Sequence, residues 1–248
     1  MASDLWVITG AASGIGAAAT RLARARGDDV LMLDVNERAG QAIALECGAR
    51  FQKCDVSQEE QWQHAAATAR GMGVPTRLHL NAGVQVAPPD APLEAYALEA
   101  ASLEGYRRMM GINVDGVVLG LRAFLPLLPS GSAVVVTASL AGITPYDVDP
   151  LYAMSKHAVV GLVRSIGPGL ARKGIRINAL CPGGIDTNII PQAQRTAEAV
   201  FMSAEAIAEE VLGLMEAEES GKSWAKVSES KPAFIVRAPG DRSAQSGS

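Results

Sequence analysis

Near the start of the chain an apolar run, Leu5–Thr9, passes without a linker into Gly10-Ala11-Ala12-Ser13-Gly14-Ile15-Gly16 and then into an alanine-rich stretch of helical spacing. Few architectures accommodate that junction. Glycines let the backbone turn sharply and approach a ligand closely, and a helix starting at such a turn presents unpaired N–H groups. A strand, a glycine loop and a helix in succession suit the first unit of a doubly wound α/β sheet, whose loop cradles a pyrophosphate at the positive end of the helix. The spacing G-x-x-x-G-x-G differs from the commoner G-x-G-x-x-G, and a plain strand-to-helix turn packed with small residues is the competing reading.

The rest of the chain keeps the alternation. Strands are expected at Leu5–Thr9, Asp29–Val35, Arg50–Asp55, Arg77–Asn81, Ser132–Ala138, Arg176–Leu180 and Ala233–Arg237. Helices are expected near Ile15–Arg26, Glu37–Cys47, Gln58–Gly71, Leu103–Leu125, Leu151–Arg172 and Ala204–Glu219. The strands are nearly continuous apolar runs, as they must be when helices cover both faces of a parallel sheet. The expected fold is therefore α/β: a Rossmann-type, doubly wound, mostly parallel seven-stranded sheet in one domain over residues 1–240, with ligands at the carboxyl ends of the strands. The serine-rich tail 241–248 is expected to be disordered.

Composition narrows the partners. Residues that are 48% hydrophobic and 19% charged supply one ordinary core, and a net charge of −4 gives no basic footprint for nucleic acid or an anionic membrane. No charged leader with an apolar centre precedes Leu5, and the longest apolar run, around Ala133–Val136, is strand-sized, so no membrane span is expected. Cys47, Cys54 and Cys181 are odd in number and lack metal-ligand spacing, which suits a reducing cytoplasm. His64, His79 and His157 share no face, so no metal site is expected. Trp62 and Trp224 read as core or interface anchors, and Glu216–Glu219 as a solvated helix end.

Four polar positions fall where this topology places chemistry. Asp34 closes the second strand, at the distance from the glycine loop where a carboxylate can accept from both hydroxyls of an adenosine ribose. It would repel a 2′-phosphate, which favours NAD over NADP; its alternative role is to cap the helix beginning near Glu37. Ser139 closes the fifth strand, and Tyr152 and Lys156 lie one helical turn apart on the next helix. A free phenol has a pKa of about 10, too high for base work at neutral pH, and a fixed positive charge beside it favours the phenolate. Taken singly, a Tyr–Lys pair is an exposed helix pair and a strand-ending Ser a turn residue.

Together these segments resemble the short-chain dehydrogenases/reductases. The resemblance runs from Leu5 to about Thr187 through Thr9–Gly16, Asp55-Val56, Asn81-Ala82-Gly83, Asn113, Ser139, Tyr152–Lys156 and Pro182-Gly183, in the family's order and near its spacings. It implies that Tyr152 is the acid/base, that Ser139 hydrogen-bonds the substrate oxygen, and that Lys156 lowers the Tyr152 pKa and binds the nicotinamide ribose. Asn113 would support a proton-relay water, or else mark a structural helix kink. Gly10, Ser13, Gly14, Ile15 and Gly16 would bind the pyrophosphate, Asp55 and Val56 would flank the adenine, and Asn81, Ala82 and Gly83 would floor the site. Beyond Pro182 and Gly183, Ile185 and Thr187 would hold the carboxamide. Cys181, close to that site, reads as an inert small residue with accidental thiol reactivity as the alternative.

The implied activity is an NAD-dependent hydride transfer between a small secondary alcohol and its ketone in a homodimer or homotetramer. An NADH-dependent ketoreductase and a non-catalytic NAD(H)-binding module stay open. Val84, Val86, Leu140, Ala141, Tyr146, Val148, Ile185, Ile189 and Ile190 are the expected substrate lining, which favours an apolar or aromatic alcohol. Whether Asp147 and Asp149 point inward is not readable. The chain departs from the family in a long Val84–Leu103 segment, a short Asn188–Met202 region and a carboxyl terminus without the usual Gly-Gly turn.

Overall fold

The computed structural model describes residues 3–196 and 199–238. Eight strands form one sheet: β1 (Leu5–Thr9), β2 (Asp29–Asp34), β3 (Arg50–Lys53), β4 (Pro75–Leu80), β5 (Ala133–Thr137), β6 (Arg176–Pro182), β7 (Lys222–Lys226) and β8 (Phe234–Val236). The spatial order is β3-β2-β1-β4-β5-β6-β7-β8, parallel except for the β7–β8 pair. Between them run α1 (Gly14–Ala25), α2 (Glu37–Cys47), α3 (Glu59–Met72), α4 (Leu103–Met110), α5 (Gly116–Phe124), α6 (Pro150–Ala171) and α7 (Ala204–Glu216).

Side chains alternate along each strand, so β1 and β2 feed two separate cores. Val7, Leu31 and Leu33 face α3, α5 and α6, where Trp62, Val117, Leu121, Phe124, Val159 and Val163 are buried. Trp6, Ile8, Val30 and Met32 face α1, α2 and α7, against Ile15, Ala19, Ala44, Ile207, Val211 and Met215. Val7 pairs with Leu31 on one side and Leu78 on the other, so β1 is central and its Leu5–Thr9 residues are all buried. Order reverses between β1 and β4. Crossovers from these two strands leave in opposite directions, which opens a crevice at their carboxyl ends.

Two sequence expectations need correction. The sheet has eight strands, not seven: no strand was expected at β7, where Lys-Ser-Trp-Ala-Lys has two apolar residues and no β-branched one. Tertiary contacts make it a strand. It pairs with β6, and its Lys226 ammonium is buried in an ion pair with Glu210 (2.6 Å) and donates to the Lys231 carbonyl (2.7 Å). The final expected strand exists, shortened to β8, as an antiparallel edge.

Second, the helix expected over Leu103–Leu125 is broken between α4 and α5 by a π turn at Gly111–Asp115. The segment Leu103–Leu127 is long and apolar enough to cross a membrane by length and composition alone, a test that the core helix of a soluble protein also passes. Its Val117, Leu121 and Phe124 sit in the sheet's core, and it carries Arg107, Arg108, Asp115 and Arg122. The Asp241–Ser248 tail lies outside the described residues.

Trp62 fastens the α3–α5 layer. It is 1% exposed, meets Phe124 edge-to-face at 6.0 Å and donates its indole N–H to the Val56 carbonyl (2.8 Å). Trp62→Ala removes a large buried side chain and a hydrogen bond, so urea unfolding should show a loss of about 3–5 kcal/mol.

Candidate active site

The crevice is a cavity of about 780 Å³ that runs from Asp34 at one end to Tyr152 and Lys156 at the other. Its floor is the glycine loop. Gly10 has φ +64°, a left-handed value that favours glycine, and a Cβ on Gly16 would lie 2.3 Å from the Gly10 carbonyl oxygen. Gly10, Ser13, Gly14 and Ile15 line the cavity, whereas Gly16 serves the packing of loop on helix. Ser13 is the N-cap of α1 but makes no side-chain capping bond, so the first N–H groups of this helix are left for an anion.

Asp34 locks this loop to the sheet. One carboxylate oxygen accepts from Ala12 N (2.9 Å) and the other from Asn36 N (2.9 Å), and the side chain borders the cavity. The α2 cap is Asn36, whose side chain accepts from Ala39 N, so Asp34 is not the helix cap of the alternative reading. Lone pairs remain on Asp34 for ribose hydroxyls. Asp55, Val56, Asn81, Ala82, Gly83 and Thr187 also line the cavity. Asn81 is held by its N–H to Thr9 Oγ1 (2.8 Å), by its amide to the Thr9 carbonyl (3.0 Å) and by the Thr137 hydroxyl (3.1 Å). An uncapped helix start, a carboxylate one strand away and a long cleft between them fit an adenine dinucleotide.

At the far end α6 presents Tyr152 and Lys156 on one face. Asp149 starts this helix with two jobs: Oδ1 accepts from Tyr152 N (2.8 Å) and Oδ2 from Val86 N (3.0 Å). It is fully buried, and desolvation raises its pKa while the backbone donors of Val86, Tyr152 and Leu151 oppose the rise. Asp147 is exposed. Burial pushes the Tyr152 phenol well above its ordinary range; a hydrogen bond with Ser139 pulls the other way. Ser139 caps a short turn at Leu140–Gly142, accepting from Ala141 N.

Lys156 donates to the Thr137 carbonyl (3.0 Å) and lies 5.5 Å from the Tyr152 ring centroid. Burial lowers its pKa to about 8, which still leaves it mostly charged at neutral pH. Asn113 sits in the π turn, 1% exposed, with its amide clamped on both the N–H and the carbonyl of Val84 and donating to Ser155 Oγ (3.0 Å). That clamp fastens the Asn81–Val84 segment to α6 through Ser155, which donates to the Tyr152 carbonyl (2.7 Å).

Some expected residues lie outside the cavity lining. Ser139 and Asn113 sit just behind it, Pro182 ends β6, and Gly183 N donates to the Lys226 carbonyl (2.9 Å). Ile185 is buried and bridged to Met202. Of the expected substrate lining, Val84, Val86 and Ile189 border the cavity and Leu140, Ala141, Tyr146, Val148, Ile185 and Ile190 do not. Tyr146 nonetheless packs edge-to-face on Tyr152 at 6.1 Å. Sequence reading passed over Gln85, Glu104 and Arg108, which line the cavity, and Gln194, which accepts from the Tyr146 hydroxyl (3.1 Å). A polar residue between Val84 and Val86 was the available signal for Gln85.

Burial pushes the Cys54 thiol up to about 12 and the Cys181 thiol up to about 11, so neither is a ready nucleophile. Among the described residues no three potential metal ligands cluster.

A family model described as enoyl-(acyl carrier protein) reductase matches residues 10–225. The chain is 35% identical over 193 residues to 2,5-dichloro-2,5-cyclohexadiene-1,4-diol dehydrogenase of Sphingobium indicum, covering 75% of this chain and 74% of that protein. It is 34% identical over 184 residues to a mitochondrial borneol dehydrogenase of Lavandula x intermedia, covering 71% and 67%. A blue fluorescent protein from a metagenomic library, solved with NADPH, superposes with a TM-score of 0.80 at 27% identity, covering 90% of this chain and 95% of that one. A dehydrogenase/reductase of Sinorhizobium meliloti shares the fold with a TM-score of 0.81 over 92% and 94%.

Beneath the site, His79 is fully buried and its Nε2 is 2.9 Å from Thr137 Oγ1. Because that hydroxyl gives its proton to Asn81, Nε2 is the protonated nitrogen and Nδ1 has no hydrogen-bond partner among the described residues. Desolvation drops the His79 pKa to about 3. Below pH 6.5 the unfolded chain takes up a proton that the folded state refuses, so stability falls with falling pH between about 6.5 and about 3. Between pH 6.5 and 5 the His79 contribution is about 2 kcal/mol. Urea melts of wild type and His79→Gln at both pH values should show this excess loss in the wild type alone.

Proposed function

The chain belongs to the short-chain dehydrogenases/reductases, and from that membership we propose an NAD-dependent oxidoreductase that moves a hydride between a secondary alcohol and its ketone. The observation that carries the proposal is the convergence of Tyr152, Ser139 and Lys156 at one end of a cleft whose other end is Asp34. The names of the diol and borneol dehydrogenases support alcohol chemistry.

Each residue then has a task. Ser139 donates to the substrate oxygen and steadies the charge that develops there. Tyr152, as phenolate, accepts the alcohol proton while the carbinol hydrogen leaves with the electron pair as hydride, and the C–O bond becomes a carbonyl. Lys156 supplies the fixed positive charge near the Tyr152 ring and N–H donors for the hydroxyls of a ribose. The bound dinucleotide supplies the hydride acceptor. Gly10, Ser13, Gly14 and Ile15 hold its pyrophosphate on a loop that Gly16 packs against the helix, Asp34 its adenosine ribose, Asp55, Val56 and Asn81–Gly83 the adenine side, and Thr187, carried by the Pro182–Ile185 segment, the nicotinamide side. Asn113 acts by positioning Val84 and α6.

Reduction of a ketone with NADH is favoured by one specific observation: burial keeps the Tyr152 phenol protonated, ready to donate to a developing alkoxide. The free thiols support a reducing cytoplasm, and the exposed Val118 on α5 and Met154 on α6 support assembly into a homodimer or homotetramer through these helices.

Two variants test the reading by nicotinamide absorbance over a panel of secondary alcohols. Tyr152→Phe should lower kcat/KM by at least about 10²-fold while NAD affinity, followed by fluorescence quenching, changes little; a variant with full turnover sinks the mechanism. Wild type should use NAD far better than NADP. Asp34→Asn, which removes the charge and keeps an acceptor, should narrow that ratio by about tenfold or more; an unchanged ratio would remove Asp34 from coenzyme selection.

A further inference from the structure

Thr187 borders the cavity from a part of the chain that the sheet does not hold. It lies beyond the end of β6, outside the helices and strands, and its hydroxyl has no hydrogen-bond partner among the described residues. Its methyl nevertheless stands over the glycine loop, since a Cβ on Gly14 would meet Thr187 Cγ2 at 2.9 Å. A loop residue placed that closely needs something to place it.

One side chain does so. Arg195 reaches back across the loop and donates from Nη1 to Asp186 Oδ1 (2.6 Å) and from Nη2 to the Thr187 carbonyl (2.6 Å). Its guanidinium also lies over the Phe201 ring, 5.6 Å from the centroid. Phe201 closes on Gly184, where a Cβ would lie 3.0 Å from the ring. The next residue, Met202, accepts from Asp186 N (2.9 Å) and donates to the Gly184 carbonyl (3.0 Å). Reaching a carboxylate, a carbonyl and a ring face together requires a planar fork with several donors, which Arg has and Lys lacks.

Stability is not what this arrangement supplies. The Arg195 and Asp186 side chains are 33% and 67% exposed, and an ion pair so open to water contributes little. The substrate side of the loop is tied separately, by Gln192 N on the Pro89 carbonyl (2.7 Å) and by Tyr146 on Gln194. Without Arg195 the Thr187 carbonyl would keep only the long bond from Ile190 N (3.3 Å). What Arg195 decides is where Thr187 stands.

We propose that Arg195 is a positioning residue for the coenzyme: it holds Thr187 over the glycine loop, so that the Thr187 side chain meets the nicotinamide ring, and touches no part of the coenzyme itself. This rests on the nicotinamide dinucleotide reading above.

The test is calorimetric titration of NADH and of ADP-ribose, which lacks the nicotinamide ring, into wild type, Arg195→Met, Thr187→Val and the double variant. Arg195→Met should weaken NADH by about fivefold or more and leave ADP-ribose within about twofold. Thr187→Val should weaken NADH in the same way. In the Thr187→Val background, Arg195→Met should then cost less than about twofold, because its effect passes through Thr187. Equal losses for both ligands would make Arg195 a general tie of the loop and overturn the proposal. So would NADH affinity unchanged in either single variant, or a full Arg195→Met effect without the Thr187 hydroxyl. If wild type binds neither ligand, the coenzyme reading itself has failed and the role of Arg195 falls with it; binding by wild type together with any of the other adverse results sinks the Arg195 proposal alone.

Discussion

Between β1 and β4 the sheet reverses the direction in which it is built, and the long cavity of this protein lies at that reversal. β1 pairs with β2 on one side and β4 on the other, so the crossovers that leave these strands diverge and cannot fill the space between them. The glycine loop after β1, Asp34 at the end of β2 and Asn81 after β4 all line that space because each closes a strand at the same edge. The two cores beneath, one on each face, hold the strands rigid while the edge above stays open.

The open edge is stabilised by buried polar groups that serve several partners at once. Asp149 joins the start of α6 to Val86, Asn113 joins the π turn to Val84 and Ser155, and the Thr137 residue serves Lys156, His79 and Asn81. Groups of this kind contribute little net stability when satisfied and are expensive when one partner is lost. What they supply here is geometry. The segment after β4, the start of α6 and the end of β5 are fixed relative to one another, so that Tyr152, Ser139 and Lys156 meet at one point. The same burial that secures them raises the Tyr152 phenol and lowers Lys156, leaving a phenol that gives up its proton readily only when positive charge is close.

Much of this was legible before any fold was seen. Six of the seven expected strands recur with nearly their expected bounds and the last is shortened at both ends, because a strand buried on both faces must be continuously apolar and its ends are marked by Gly, Asp or Asn. β7 was missed for the same reason in reverse: its Lys226 is tolerable inside only because Glu210, sixteen residues earlier, neutralises it. The break in the long helix at Gly111–Asp115 was equally hidden, since a π turn leaves the apolar spacing on both sides intact.

The candidate site divides along the same line. Residues that act through local spacing could be read directly: the glycine loop at the end of a strand, Asp34 at the end of the next, and Tyr152 and Lys156 four residues apart on one helix. Their identities follow from the short-range rules of strands, turns and helices, which sequence carries. Residues that act through contacts across the chain could not. Gln85 meets Ile189 from 104 positions away, and Asp149 meets Val86 from 63. No periodicity encodes such pairings. They exist because the sheet brings the end of β4, the start of α6 and the loop after β6 to one edge, and only there does a solitary glutamine between two valines become a buried tie at the cavity wall.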